Sequence, residues 1–411
     1  MKIQPVRGTH DIFGKDLLSY KFIEKTVSEM AQIYDYNEII TPIFEKTDLF
    51  TKPLGEHSEV ILKEMYTFKD RNDCSLTLRP EYTTPMIRAA ISNNFLDKLP
   101  VKLFGFGPMF RRERPQKGRF RQFNQINFEI LGTDDSYVDA EIILLANELL
   151  EKIVSKNTFK LLINSLGDKN TIGKYKKNLT NFFEKYKFDL SEDSKNKIYS
   201  NPLRILDSKD KHDIDLCNNS PKIEKLYSNS AKQKFEEVQT LLSKSNILFE
   251  VDKKLVRGLD YYCHTVFEFK SKFLGTQDTI IGGGRYDGLT KMLGGPDIPG
   301  VGWASGVERL MMLSKKINKK SVIVQVIILD EKFKSYGFNV INELRKKNIK
   351  TTFDYKYSLK KSLKNADSNN TKFALIIGEE EFKNNTYSLK TLLDGSQEKF
   401  SLQEVVKLLS A

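Results

Sequence analysis

Two strand-like runs, residues 102–112 and 121–131, flank a short basic loop at 113–120 that contains Pro115 and Gly118. Such an arrangement predicts a long hairpin of an antiparallel sheet. An amphipathic helix pattern precedes it over 17–34, with Leu18, Phe22 and Ile33 among its apolar positions, and another helix is predicted over 135–156. Residues 36–43 read as a further strand ending at Pro42. Strands followed by helices and then by more strands make this body α+β, not doubly wound.

The loop between the two runs is charged as well as short. Arg111, Arg112, Arg114, Lys117, Arg119 and Arg121 place six cations in eleven residues. Charge runs usually form a solvated face. Here the alternation on both sides aims several arginines from one face, and Arg111, Arg119 and Arg121 are expected to make a fork for phosphate oxygens, which guanidinium groups bind bidentately. The whole chain leans the same way, with 66 Lys and Arg against 54 Asp and Glu. That balance favours polyanionic partners, although part of it is a Lys/Asn-rich drift visible at 174–178.

At 411 residues the chain is long enough for two or three domains, and 39% hydrophobic residues exclude a disordered protein. No apolar run approaches the ~18 residues of a membrane-spanning helix. The first residues lead into polar sequence without a signal-peptide core, so a soluble cytoplasmic protein is expected. Cys74, Cys217 and Cys263 form no CxxC pair, which argues against a structural zinc site and for a reducing compartment. Residues 167–250 are rich in Lys, Asn and Ser and read as an inserted, mostly helical subdomain. Ten of the 23 glycines fall between Gly275 and Gly306, where a chain that turns sharply or approaches a ligand would need them. A polar break at 314–320 precedes a different pattern. Strand-like runs at 322–328, 350–353 and 373–378 alternate with helical ones, the first at 332–347, and predict a small α/β domain over 321–411 with 15 Lys and Arg against 11 Asp and Glu.

Three further segments complete a pattern. Residues 78–84 place Glu81 and the hydroxyls of Thr83 and Thr84 after an apolar strand. Residues 255–262 combine Arg257, Asp260, Tyr261 and Tyr262 ahead of a strand at 265–269. The run Gly282-Gly283-Gly284-Arg285-Tyr286-Asp287-Gly288 lacks the spacing of a dinucleotide or P-loop motif and on its own would be only a tight turn. Together with Arg7-Gly8-Thr9-His10-Asp11, Ile39-Ile40-Thr41-Pro42 (motif 1), residues 110–125 (motif 2) and 300–310 (motif 3), these segments resemble the histidyl-tRNA synthetases, a class II aminoacyl-tRNA synthetase family. Motifs 1 to 3 give the class, and 255–262 with 282–289 give the amino acid. The resemblance implies an antiparallel-sheet catalytic core over 1–166 and 251–313, the insertion at 167–250, and an anticodon-binding α/β domain at 321–411.

The resemblance also implies roles. Glu81, Thr83 and Gln125 match the positions that receive the substrate ammonium. Glu129 and Tyr262 match those that recognise the imidazole, with Tyr82, Tyr261 and Tyr286 lining the histidine pocket. Arg111 and Arg257 match the catalytic pair at the α-phosphate of ATP. Phe123 and Arg309 match the residues around adenine, while Arg119 and Arg121 are placed for the outer phosphates. Arg114, Gln116 and Lys117 match the element that reads the acceptor end of tRNA. L-histidine, ATP and tRNA(His) are then the substrates, Mg²⁺ comes with ATP, no metal site is built from the protein alone, and a homodimer is expected from motif 1.

Two departures stand out. Tyr82 occupies a position where a smaller residue is common, and would narrow the pocket. Cys263 and His264 follow the tyrosines at variable positions. Adjacent residues of a strand point to opposite faces, so these two are not expected to act together. His10, His57 and His212 have no acid or cysteine cluster nearby and are read as structural or surface residues. The rival to a ligase is a histidine-sensing regulatory paralogue of histidine biosynthesis, which lacks the anticodon domain and parts of the ATP signature. The presence of Arg111, Arg257, Arg309 and 321–411 counts against it.

Overall fold

The computed structural model describes residues 3–54, 60–116, 118–155, 157–259, 261–275, 278–315, 323–354 and 358–410. Lys117, His57 and Asp260 therefore lie outside the described residues. The chain divides into two compact units, Met1–Ile317 and Asn318–Ala411.

The first unit is organised by an eight-stranded sheet. Its order is Asn37–Glu38, Val101–Phe110, Gln122–Leu131, Gly300–Gly306, Thr279–Arg285, Cys263–Lys270, Lys160–Ser165, Phe249–Val251. The two outermost pairs are parallel and the internal pairs antiparallel. The predicted hairpin is present, with Val101 opposite Leu131 and Phe110 opposite Gln122. The triple glycine is not a turn. Gly282, Gly283 and Gly284 run through the middle of the sheet, paired on both sides.

Alternation along Gln122–Leu131 separates two environments. Ile126, Phe128 and Ile130 join the main core, closed by apolar faces of the helices Gly14–Ile33, Ser136–Ile153 and Asn229–Lys244. Trp303, on the neighbouring strand, packs 4.8 Å from the Phe128 ring and donates its indole N–H to the Ile142 carbonyl at 3.1 Å. Each such side chain stabilises the fold by about 1.5–3 kcal/mol. Gln125, Asn127 and Glu129 are left on the opposite face.

Residues 36–43 do not make one strand. Only Asn37–Glu38 pairs with the main sheet, and Phe44–Lys46 joins a separate three-stranded sheet with Ser75–Leu78 and Tyr66–Lys69. Between them the buried Arg79 guanidinium takes the Thr41 carbonyl at 2.7 Å and the Pro42 carbonyl at 3.4 Å, and Pro42 has no N–H to offer a ladder. The 135–156 helix is Ser136–Ile153, capped by the Asp135 carboxylate, which accepts from the Tyr137 N–H at 2.9 Å.

The 167–250 stretch is continuous with the first unit. Tyr175, Leu179, Phe183 and Ile205 form a cluster that also takes Val266 from the main sheet. Its last helix, Asn229–Lys244, sends Phe235, Val238 and Leu242 into the main core. The second unit has a five-stranded mixed sheet in the order Lys350–Asp354, Ile323–Ile328, Phe373–Ile377, Tyr387–Thr391, Gln397–Phe400. Helices Lys334–Lys346 and Leu402–Ser410 supply Val340, Leu344, Val405 and Leu409 to one core cluster, while Ile327, Ala374 and Ile376 form another with Leu363 of Leu359–Ser368.

Candidate active site

On the face of the sheet away from the main core, the adjacent strands Thr279–Arg285 and Gly300–Gly306 carry mostly glycine. Gly282, Ala304 and Gly306 line a cleft there, together with side chains from the hairpin, the 81–83 segment and the 257–262 segment. The glycines are required by their neighbours. A Cβ on Gly302 would land on the Glu129 carboxylate, and one on Gly282 would land on the Arg257 guanidinium. The glycine-rich stretch is thus a floor that lets charged groups lie flat against the backbone.

At one end of the cleft two buried carboxylates sit in a nest of donors. Glu81 accepts from the Thr83 N–H at 2.8 Å, from the Thr84 N–H at 2.9 Å and from the Thr84 hydroxyl. Glu129 accepts from the Thr83 hydroxyl at 2.7 Å, from Asn127 Nδ2 at 3.2 Å and from the Tyr286 hydroxyl. Burial raises the pKa of Glu81, opposed by its hydrogen bonds and by Arg111. Burial pushes Glu129 up to about 8, against the hydrogen bonds from Tyr286, Thr83 and Asn127. Beside them Gln125, which lines the cleft, has its Oε1 buried without a hydrogen-bond partner among the described residues.

The other end is cationic. Arg111 donates to the Pro80 carbonyl at 2.7 Å, and its guanidinium lies 5.4 Å from the Phe123 ring centroid. Arg119 pairs with the Glu113 carboxylate at 3.1 Å, which also stands 3.9 Å from Arg111. Arg309 donates to the Gly118 carbonyl at 3.2 Å and the Thr279 carbonyl at 2.7 Å. Burial lowers its pKa, and Arg119 and Arg111 add to that. Arg257 is paired with Glu268 and stands 5.6 Å from the Tyr262 ring centroid. Its pKa is raised: burial opposes the charge, and Glu268 together with Tyr262 and Tyr261 outweighs it. Arg257 Nε has no hydrogen-bond partner among the described residues.

Glu81, Thr83, Gln125, Arg111, Arg119, Phe123, Arg257, Tyr261, Tyr262 and Arg309 all line the cleft. Glu129 and Tyr286 are buried, joined to that lining through Thr83. Two expectations fail. Tyr82 does not narrow the pocket, because its ring fills the space left by Gly105 and its hydroxyl donates to the Ile39 carbonyl at 3.1 Å. Arg121 does not line the cleft. Its stem packs on Gly8 and its Nε reaches the Glu113 carbonyl at 3.4 Å, which leaves Arg111 and Arg119 of the three in the cleft. The opening segment thus serves the loop, and His10 packs its ring 4.4 Å from Phe120. Arg114 and Gln116 are exposed at the hairpin tip, which Gly118 closes at φ +75°.

Several functional neighbours escape sequence reading. Asn127 shares a face with Gln125 and Glu129 by strand alternation, and that period would have found it. Glu268 shows no signal beyond its place in a strand. Glu308 ties the hairpin to the 307–313 helix by accepting from the Asn124 N–H at 2.9 Å, which no local pattern predicts.

The comparisons with known proteins agree with this geometry. A family model described as histidyl-tRNA synthetase matches residues 8–172 and 195–310, and one described as anticodon binding domain matches 323–411. The chain belongs to the histidyl-tRNA synthetase family. A histidine–tRNA ligase of Wolbachia pipientis subsp. Culex pipiens (strain wPip) is 42% identical over 407 residues, covering 99% of this chain and 100% of its own length. One from Ehrlichia chaffeensis (strain Arkansas) is also 42% identical over 407 residues, with 99% and 96% covered. The apo crystal structure of the Staphylococcus aureus histidyl-tRNA synthetase superposes with a TM-score of 0.82 at 32% identity, covering all of both chains. With both models matched, the fold is a class II α+β catalytic body plus an α/β anticodon-binding domain. No helix among the described residues is long and apolar enough to cross a membrane.

Proposed function

We propose that the cleft is where this chain joins L-histidine to ATP and passes the histidyl group to tRNA(His). The chain is a class II histidine–tRNA ligase, and the cleft's two ends match that chemistry. The observation that carries the reading is a buried, unpaired acceptor, Gln125 Oε1, beside two carboxylates in a cleft whose far end holds Arg111, Arg119, Arg257 and Arg309. An ammonium group satisfies the first end and phosphates the second.

In this division of labour Glu81, Thr83 and Gln125 receive the substrate ammonium. Glu129, held by Tyr286, and Tyr262 address the imidazole nitrogens, with Tyr261 against them. A site that would leave such groups unpaired rejects amino acids lacking the ring nitrogens, by ~10⁴ or more in favourable cases. Phe123 and Arg309 hold adenine. The histidine carboxylate attacks the α-phosphorus in line, pyrophosphate leaves, and Arg111 and Arg257 stabilise the charge that develops. The terminal ribose hydroxyl of the tRNA then attacks the acyl carbon of the adenylate, releasing AMP.

Mg²⁺ comes with the triphosphate. The carboxylates near the arginines, Glu113 and Glu308, are engaged with Arg119 and with Asn124, so the ion would be held chiefly by phosphate oxygens. Arg114 and Gln116 at the hairpin tip, with Lys117 beside them in sequence, meet the acceptor end, and 321–411 the anticodon. A homodimer is supported by the exposed apolar side chains in and just after motif 1, Ile40, Ile43 and Phe44. The cytoplasm is the compartment this substrate set implies. Charging of tRNA(His) with labelled histidine, alongside the other amino acids, tests the reading; charging with a different amino acid would overturn it.

A further inference from the structure

We propose that Cys263, His264 and Asp287 form a binding site for a thiophilic divalent cation, with zinc the best fit, behind the histidine pocket. One ligand atom from each of the three lies within 4.8 Å of the others. In a regular strand this would be impossible, because Cys263 and His264 would point to opposite faces. The strand is not regular there. Val266 pairs with Gly284 but Cys263 pairs with Arg285, so His264 and Thr265 bulge out between them. His264 takes φ +44°, a left-handed conformation that few residues with a Cβ adopt, and both side chains come to one side.

The donors are arranged as ligands need to be. The Asp287 N–H donates to Cys263 Sγ at 3.3 Å. Asp287 Oδ1 accepts from the Gly300 N–H at 3.2 Å and from Arg285 Nη1 at 3.3 Å, which fixes the carboxylate. Arg285 is itself paired with the buried Asp139, so its charge is largely compensated locally. His264 Nδ1 is buried with no hydrogen-bond partner among the described residues. A buried nitrogen without a partner is costly, and a Lewis-acidic ion is one partner that resolves it.

A thiolate, an imidazole and a carboxylate are a zinc donor set, and Mg²⁺ or Ca²⁺ would demand oxygen ligands instead. Zinc bonds of ~2.0–2.3 Å require the three atoms to draw together by about an ångström, within reach of rotatable side chains. Cys263 is buried while His264 and Asp287 are half-buried, so an ion enters from their side and a fourth position stays open to water. The Cys263 thiol gives up its proton to solvent as the ion binds, and the thiolate and the carboxylate then carry the charge that a dication neutralises. Their place in the chain gives the ion a consequence. Cys263 follows Tyr262, and Asp287 follows Tyr286, the phenol that holds Glu129. An ion here ties the bulge to the turn after Tyr286 and stiffens the back of the pocket.

The test uses the full chain, freed of metal by chelation and titrated with Co²⁺ alone. The expected result is a thiolate-to-cobalt charge-transfer band saturating at one ion per chain and lost on adding one equivalent of Zn²⁺. Cys263→Ser should abolish the band and His264→Gln should weaken it severely, while Cys74→Ser leaves it intact. Trp303 fluorescence checks that each variant is folded, and two ligand variants guard against one that is not. No band in the parent, a band that survives in Cys263→Ser, or one undiminished in His264→Gln overturns the proposal. The measurement needs neither histidine nor ATP, so its failure is separate from any failure of the ligase reading.

Discussion

Glu129→Gln is the substitution whose effect can be worked out furthest. Burial pushes the Glu129 carboxyl from 4.5 up to about 8 in the folded protein. Between those values the native state holds a proton that the unfolded chain has released, so the native form binds more protons. Stability must then fall as pH rises from about 4.5 to about 8, with the full contribution present below the first value and lost above the second. The slope from this group is at most ~1.4 kcal/mol per pH unit, and the total is on the order of 5 kcal/mol as a ceiling. Glutamine keeps the amide within reach of Thr83 and Tyr286 but cannot titrate. The parent should therefore be the more stable at pH 5 relative to the variant, and its advantage should shrink or reverse by pH 8. Trp303 is the single tryptophan and lies in the same sheet, against Phe128, so its fluorescence reports unfolding of this unit in urea. The same variant should bind histidine far more weakly. Parallel stability curves for parent and variant across pH 5 to 8 would refute a protonated, buried Glu129.

Arg257→His should leave tRNA binding intact and lower adenylate formation by ~10²–10³, measured by pyrophosphate exchange, because a transition-state donor is removed. Equal rates would remove Arg257 from the chemistry. Glu268→Gln keeps shape but withdraws the ion pair from Arg257, and a charged hydrogen bond of ~1.5–3 kcal/mol corresponds to about a 10–100-fold loss of activation, with histidine affinity unchanged; a loss confined to histidine binding would contradict it. Gly302→Ala should abolish histidine binding and destabilise by ~1–3 kcal/mol, since its Cβ meets the Glu129 carboxylate; wild-type affinity in calorimetry would contradict the floor described here. Deleting 321–411 should preserve activation and abolish efficient charging, and unchanged charging would refute an anticodon role for that unit.

Much of the catalytic unit was legible because its physics is local. The hairpin announces itself by alternation around a Pro/Gly loop, while Gln125 and Glu129 on it were singled out by the family resemblance. The α/β unit is legible from apolar runs separated by helical ones. What sequence reading missed depends on distant partners. Residues 36–43 looked like a strand until Arg79, far along the chain, claimed the carbonyls of Thr41 and Pro42. Tyr82 was read as pocket lining because its neighbours are, but the helix start at Thr83 turns it into the core. Arg121 sits in the right strand, yet Gly8 and the Glu113 carbonyl draw its side chain away. The pairing of Cys263 with His264 was excluded by a rule for regular strands, and a bulge suspends that rule. Apart from Asn127, which the alternation encodes, these misses are long-range contacts or local irregularities that composition and periodicity do not encode.

The chemistry of the cleft is decided by which amino acid it activates. Histidine-dependent exchange of pyrophosphate into ATP, measured on the purified chain without tRNA and with the other amino acids in parallel, tests it most directly. Exchange with histidine alone is the predicted result. Histidine binding without exchange would contradict it, and would make the chain a sensor of histidine instead of a ligase.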